Sequence, residues 1–235
     1  AEVMEKKGID VPETLSHCGP PGKTGAIGHY VGMTVHDVGP RSVPLEEGME
    51  YDQQIGTLFF RIELGYNELW IGYTYLSSDN GENSEKKPVE NPIDDDLEWT
   101  RWSFSDPPQK ISLKPFLTDL PMVVFSRYPQ RILPGDEARI FVGIPASVQF
   151  NFVRKNEQSL TELPTENLSR TWFGDRYEGE LCYWWSTRAR RQLPEMQKEN
   201  NRIGCPVLLQ NKSEEELYFD KFCHRVARLQ IYKYN

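Results

Sequence analysis

Thr57-Leu-Phe-Phe-Arg-Ile-Glu-Leu-Gly-Tyr-Asn-Glu-Leu-Trp-Ile-Gly-Tyr-Thr-Tyr-Leu76 is the stretch that decides the fold class of this 235-residue chain. Aromatic and β-branched residues recur in both arms, which is the composition of β-strands. Gly65, Tyr66 and Asn67 between the arms are typical of a tight turn. The stretch therefore predicts a β-hairpin over residues 57–76.

Similar short runs continue to the end of the chain, separated by turns rich in Pro, Gly, Asn and Asp. The other predicted strands cover residues 98–104, 110–114, 121–125, 138–144, 147–153, 180–187, 205–211, 218–227 and 228–234. Residues 50–56 are not predicted as a strand, and residues 192–202 have a helical or loop character. The pattern predicts an all-β fold: a β-sandwich, or two packed sandwich halves, with a loop-rich N-terminal extension.

The first fifty residues differ from the rest in their Gly- and Pro-rich texture. We therefore expect residues 1–49 to be an N-terminal extension and residues 50–235 to be the sandwich region. A polar loop over residues 77–96 ends in Asp94-Asp95-Asp96. Such an acidic run can hold a cation, but low hydrophobicity favours a solvated loop.

Composition excludes several classes of protein. The net charge is −8, which argues against general binding to nucleic acid, and no apolar stretch is long enough to span a membrane. The charged N-terminus lacks the apolar segment of a signal peptide. Four scattered cysteines without a Cys-x-x-Cys pair predict reduced thiols in a cytoplasmic protein, with Cys182 and Cys205 as small apolar strand residues.

The stretch from Leu168 to Arg191 holds three of the six tryptophans and five arginines. One interpretation is a binding pocket with an aromatic floor and an arginine rim, because arginine binds carboxylates and phosphates through two parallel hydrogen bonds. The alternative is packing, with Trp172, Phe173, Tyr183 and Trp184 in the core and the arginines paired with Asp175, Glu178 and Glu180. Strand alternation over residues 180–187 favours packing for most of the aromatic residues. The candidate binding residues are Arg170, Asp175, Arg176, Glu180, Arg188, Arg190 and Arg191.

No complete catalytic set is visible. Ser169 and Ser186 lie outside any Gly-x-Ser-x-Gly context. Cys223 and His224 are adjacent on a predicted strand, so their side chains point to opposite faces and cannot form a thiolate–imidazolium pair. The sequence therefore favours a protein that is not an enzyme.

Residues 8–49 resemble a fragment of the metal-binding core of Xaa-Pro aminopeptidases and prolidases, the pita-bread fold. The resemblance is carried by His29 and by His36 in Val35-His36-Asp37-Val38-Gly39, and by Leu45-Glu-Glu-Gly-Met49. It implies His29 and His36 as metal ligands, and the aspartate and glutamate ligands of that family have no counterpart here. His17 and Asp37 could complete a site for a single divalent metal such as zinc or manganese.

From about residue 50 onward the chain resembles a second family. The residues that carry this resemblance are Gly56-Thr-Leu58, Trp99-Thr-Arg-Trp102, Leu133-Pro-Gly-Asp136, Thr161-Glu-Leu-Pro164, Leu168-Ser-Arg-Thr-Trp-Phe-Gly174, Gly179-Glu-Leu-Cys-Tyr-Trp184 and Thr187-Arg-Ala-Arg-Arg191. Together they look like the bacterial branch of the domain of unknown function 432 family. The resemblance implies a boundary near residue 50 and carries no assigned reaction or cofactor.

The leading hypothesis is an uncharacterised cytoplasmic β-sandwich that acts as a binding module without a cofactor. Its expected partner is a protein or a small anionic ligand. The alternative hypothesis is a metal-dependent, peptidase-like hydrolase that uses His29 and His36.

Overall fold

The computed structural model describes residues 16–17, 27–30, 34–35, 41–76, 94–106, 108–153, 156–192, 201–226 and 229–231. This part of the chain forms seventeen β-strands and one 3-10 turn, Asp94–Asp96. The predicted all-β class is confirmed. Among these residues there is no helix that is long and apolar enough to cross a membrane.

The chain divides into two compact units, each built from two β-sheets. The first unit, called sandwich A, consists of β4 (Arg41–Pro44), β5 (Glu50–Ile55), β6 (Leu58–Gly65), β7 (Glu68–Tyr75), β8 (Glu98–Ser103), β9 (Lys110–Phe116), β12 (Ser147–Val153) and β13 (Glu157–Pro164). Its sheets have the strand orders β5-β6-β7-β8 and β13-β12-β9-β4, and all their pairs are antiparallel.

Aromatic and aliphatic side chains fill sandwich A. Phe60 on β6 and Phe150 on β12 are both fully buried. Their rings meet edge to face with centroids 5.0 Å apart, so they join the two sheets at the centre of the core. Leu58, Ile62 and Ile111 are also fully buried.

The second unit, called sandwich B, consists of β1 (Ser16–His17), β2 (Ile27–Tyr30), β3 (Thr34–Val35), β10 (Met122–Ile132), β11 (Glu137–Pro145), β14 (Arg170–Gly174), β15 (Gly179–Thr187), β16 (Arg202–Gln210) and β17 (Leu217–His224). One sheet has the order β1-β2-β16-β11, with β3 also paired to β16, and the other has the order β14-β15-β10-β17. In the second sheet β10 and β15 run parallel, and β10 pairs antiparallel with β17.

Specific contacts tie the two sheets of sandwich B together. The indole N–H of Trp185 on β15 donates to the carbonyl oxygen of Gly143 on β11 at 2.9 Å. The Arg202 guanidinium lies 4.2 Å from the centre of the Trp185 ring, which is a cation–π contact. Beyond β15, the backbone of Arg190 forms an antiparallel bridge with Phe141, so the chain leaves one sheet and joins the other.

Most predicted strands are confirmed. The predicted hairpin is β6 and β7, and Asn67 in its turn has a φ of 57°. The predicted strand 121–125 is the start of the longer β10, which continues past a bulge between Phe125 and Gln130. Strands β1 to β5 and β13 were not predicted from the sequence.

The prediction of a final strand over residues 228–234 is wrong for residues 229–231, the part of this segment that the structure describes. Residues 229–231 form no strand, while residues 228 and 232–234 lie outside the described part of the chain. Alternation of polar and apolar residues makes a segment suitable for a sheet, but a strand forms only where a neighbouring strand shares its backbone hydrogen bonds. Of the predicted segment 192–202, Arg202 begins β16, and residues 193–200 lie outside the described part.

The predicted boundary near residue 49 stays a prediction. β4 lies within the predicted extension and pairs with β9 of sandwich A. β2 and β3 likewise pair with β16 of sandwich B. These pairings show that at least three short segments of the extension take part in sheets.

Candidate functional site

The four-stranded sheet β14-β15-β10-β17 carries the stretch that the sequence singled out. Its register places Cys182 opposite Thr171, Trp184 beside Val123, and Val123 opposite Cys223. Because paired residues point to the same side of a sheet, these side chains share one face. Met122 and Val124, which alternate with Val123 along β10, lie on the other face.

Two thiols meet on the first face. The sulfur atoms of Cys182 and Cys223 lie 3.8 Å apart, although 41 residues separate them in sequence. Both residues are completely buried, and they pack with Val123 and the partly buried Phe173. The predicted placement of Cys182 and Cys205 as buried strand residues is confirmed.

A carboxylate and a guanidinium adjoin the thiol pair. Glu180 Oε1 lies 3.7 Å from the Cys223 sulfur. The same oxygen accepts hydrogen bonds from Arg225, at 2.9 Å from Nε and 2.6 Å from Nη2. The packing interpretation paired Glu180 with an arginine of its own stretch; the structure shows a pair with Arg225, which lies beyond β17.

Burial controls the charge of the thiols. It raises the pKa of Cys223 and also the pKa of Cys182, so both are protonated at neutral pH when no cation is near. The adjacent Cys223 and His224 lie on opposite faces of β17, as predicted: Cys223 contacts Cys182, whereas His224 contacts the ring of Phe222. No local signal pointed to the Cys182–Cys223 pair, since no short spacing links the two residues.

The hairpin of β14 and β15 has a tip with a fixed backbone. Asp175 Oδ1 accepts hydrogen bonds from the backbone N–H groups of Tyr177 at 2.7 Å and Glu178 at 2.6 Å. These bonds hold the pKa of the Asp175 carboxyl below its ordinary value. Gly174 has a φ of 127° and lies so close to Glu178 that a side chain would not fit. Asp175, a predicted binding residue, therefore uses its carboxylate to shape the turn.

Large apolar side chains of this hairpin are exposed. Trp172 is 54% exposed, Leu181 43% and Tyr177 88%. Trp172 and Leu181 are directly paired across the hairpin, and the Trp172 indole N–H donates to the carbonyl of Asp175 at 2.8 Å. The interpretation that the aromatic residues of this stretch are core is thus correct for Tyr183, which is buried, and wrong for Trp172 and for Trp184, which is 38% exposed.

The predicted arginines do not surround one cavity. Arg170 lies on β14, and Arg176 lies at the hairpin tip against the Tyr177 ring. Arg188, Arg190 and Arg191 follow the far end of β15, about 26 Å along the strand from the tip at about 3.3 Å per residue. A shallow depression elsewhere, in sandwich A, is lined by Arg41, Ser42, Lys110, Ser112, Lys114, Val153 and Glu157.

The predicted metal ligands are only partly described. His29 lies on β2 opposite Leu208, and His17 lies on β1 opposite Ile27. His36 and Asp37 fall outside the described residues. A metal site at His29 and His36 therefore stays a prediction.

Comparison with known proteins gives one match. A family model described as a protein of unknown function, DUF432, matches residues 42–235, which is most of the chain and begins close to the predicted boundary. The peptidase resemblance of residues 8–49 gains no support from this match. No curated protein and no solved structure matches the chain. By its family match, this chain belongs to the DUF432 family of proteins of unknown function.

Proposed function

We propose that the chain is a protein-binding module and that the β14–β15 hairpin is its contact surface. The observation that carries this proposal is the exposure of Trp172, Leu181 and Tyr177 on one hairpin. Tryptophan, tyrosine and arginine are the residues that contribute most binding energy in protein interfaces. Isolated exposed apolar residues are ordinary, whereas a contiguous group of large ones indicates an interaction site.

The rigidity of the hairpin supports the proposal. Trp172 is held by its hydrogen bond to Asp175, and the Asp175 carboxylate fixes the turn. Less side-chain and backbone freedom is then lost on binding, so more of the contact energy appears as affinity. A flexible tip with the same residues would bind more weakly.

Charge indicates the chemistry of the partner. Arg170 and Arg176 flank the apolar residues, on β14 and at the tip. We therefore expect a partner surface with an apolar centre bordered by carboxylates, since arginine pairs well with carboxylates at interfaces. A protein surface also spans the distance between the arginines better than a small anionic ligand does. The expectations of a cytoplasmic location and of no catalytic activity stay predictions.

Site-specific photo-crosslinking tests the proposal. A photoreactive phenylalanine analogue placed at Tyr177 should capture a partner from a lysate of the source organism. The matched control is the same analogue at Tyr66, which is 79% exposed at the turn of the sandwich A hairpin. Trp172→Ala should reduce capture at position 177 at least tenfold, in line with about 2 kcal/mol for a binding hot spot.

A second variant tests the role of rigidity. A Cβ atom at Gly179 would lie 2.4 Å from Trp172 Nε1, so Gly179→Ala should displace the indole while leaving it present. Capture should fall several-fold. Equal capture at positions 177 and 66, or full capture by folded Trp172→Ala protein, would exclude the hairpin as the contact surface.

A further inference from the structure

Three potential metal ligands converge on the first face of the β14-β15-β10-β17 sheet. The sulfur atoms of Cys182 and Cys223 and a carboxylate oxygen of Glu180 all lie within 4.8 Å of one another. Glu180 and Cys182 come from β15, and Cys223 comes from β17, on the far side of β10. The cluster thus joins two strands that are not neighbours.

Cys182 and Cys223 are both free thiols in this structure. A shared cation fits the positions of their sulfur atoms. Two thiolates at about 2.3 Å from a tetrahedral zinc ion lie about 3.8 Å apart. The observed separation of the sulfur atoms is 3.8 Å.

The charges of the cluster suit a divalent cation. Two thiolates and one carboxylate carry three negative charges, and the positive charge of Arg225 leaves two for a cation to balance. Arg225 binds the Glu180 carboxylate directly and can hold it in place, as groups behind metal ligands do. This cluster differs from an exposed acidic cluster because both of its cysteines are completely buried.

We propose that Cys182, Cys223 and Glu180 bind one divalent, thiophilic cation such as zinc, with a fourth position left for water or another donor. Binding releases the proton of each thiol to solvent as the two sulfur–metal bonds form. The cation links β15 to β17 across β10 and stabilises this sheet. The site does not depend on the proposed contact surface, because Leu181 points to the opposite face of β15 from Cys182.

Cobalt titration of the tag-free full chain tests the proposal. Cobalt(II) replaces zinc in thiolate sites and gives a thiolate-to-cobalt charge-transfer band in the near ultraviolet. We expect saturation at one cobalt per chain and displacement by zinc. Cys182→Ser and Cys223→Ser should each lower the band to about half or less, because each removes one thiolate.

Two further variants distinguish loss of metal binding at this site from general effects of substitution on the protein. Glu180→Gln keeps both thiolates, so the band should remain at saturation while the affinity for cobalt falls at least tenfold. Cys205→Ser is the matched control: Cys205 is buried on β16, outside this sheet, and the band should not change. Zinc should also raise the melting temperature of the unaltered chain, and not that of Cys182→Ser.

Several results would overturn the proposal. One is the absence of a charge-transfer band in the unaltered chain, which decides the question even if the serine variants do not fold. Another is a full band in folded Cys182→Ser or Cys223→Ser protein, which would place the metal elsewhere. A Cys182–Cys223 disulfide in the native protein, found by mass spectrometry without any cobalt band, would make the two residues a redox pair.

Discussion

Sandwich A and sandwich B have the same plan of two sheets but bury different chemistry. The interior of sandwich A rests on residues such as Phe60 and Phe150, joined edge to face. Each interior buries an amide, Asn151 in sandwich A and Asn211 in sandwich B, but among the described residues only sandwich B also buries an imidazole, His224, and three cysteines. Burial lowers the pKa of His224 to about 4, so this imidazole is neutral at physiological pH.

The interior of sandwich A therefore mainly stabilises the fold, whereas the interior of sandwich B also holds reactive groups. Burying a polar group costs free energy unless its hydrogen bonds are made, so such groups are retained where they position the chain or bind something. Both candidate sites, the exposed β14–β15 hairpin and the buried Cys182–Cys223 cluster, lie in sandwich B. The contrast predicts that the two sandwiches respond differently to substitution.

The largest expected effect is in sandwich A. Phe150→Ala removes one of the two central rings, and we expect the free energy of unfolding to fall by about 4 kcal/mol. Urea unfolding followed by circular dichroism measures this. Tyr66→Ala at the exposed turn is the control and should change stability by less than about 0.5 kcal/mol. A loss below about 1 kcal/mol for Phe150→Ala would mean that these rings do not hold sandwich A together.

A smaller effect is expected at a buried amide of sandwich B. Asn211 Nδ2 donates to the carbonyl oxygens of Ile132 and Glu215, each at 2.8 Å, and Oδ1 accepts from the Ser213 hydroxyl at 2.7 Å. Asn211→Ala removes all three of these hydrogen bonds, and we expect a loss of about 2 kcal/mol.

The stability loss of Asn211→Ala is compared with that of Asn151→Ala, which removes a buried amide in sandwich A. The Asn151 amide donates to the side chain of Gln149 at 3.2 Å, and that side chain can turn toward solvent. We expect a loss of about 1 kcal/mol in the same urea experiment. Equal losses of stability for Asn211→Ala and Asn151→Ala would mean that the buried amide matters no more in sandwich B than in sandwich A.

The last expected effect, similar in size to that of Asn151→Ala, concerns close packing over a glycine. A Cβ atom at Gly72 of β7 would lie 2.8 Å from the ring of Trp99, so Gly72→Ala should cost about 1–2 kcal/mol as the ring shifts. Gly65→Ala in the same hairpin meets its nearest atom at 4.0 Å and should change stability little. Thermal unfolding of the two variants side by side gives the difference. If the two melting temperatures agree, the Trp99 ring is mobile enough to make room.

Local patterns in the sequence predicted much of the fold. The hairpin of β6 and β7 could be predicted because its composition, turn residues and spacing agree. β5, with the sequence Glu-Tyr-Asp-Gln-Gln-Ile, could not, because its polar residues do not alternate with apolar ones. It becomes a strand through its ladder with β6, which supplies the partner that composition does not reveal.

The candidate sites were predicted less well than the strands, and for a definite reason. Alternation on β15 correctly separates Leu181 from Cys182, but it cannot tell which face is covered. Trp172 was expected to pack, but its side chain is 54% exposed. The arginines were expected to act together, but Arg176 lies at the tip of the hairpin, whereas Arg188, Arg190 and Arg191 follow the opposite end of β15.

The sequence by itself determined that this chain is all-β, where most strands lie and that it belongs to the DUF432 family. These properties depend on neighbours in sequence, where side-chain period and turn chemistry act. Only the tertiary structure decided that Cys182 meets Cys223 and that Glu180 pairs with Arg225, 45 residues away. Strand order fixes such contacts, because β10 brings β15 and β17 to its two sides, and no local pattern encodes that order.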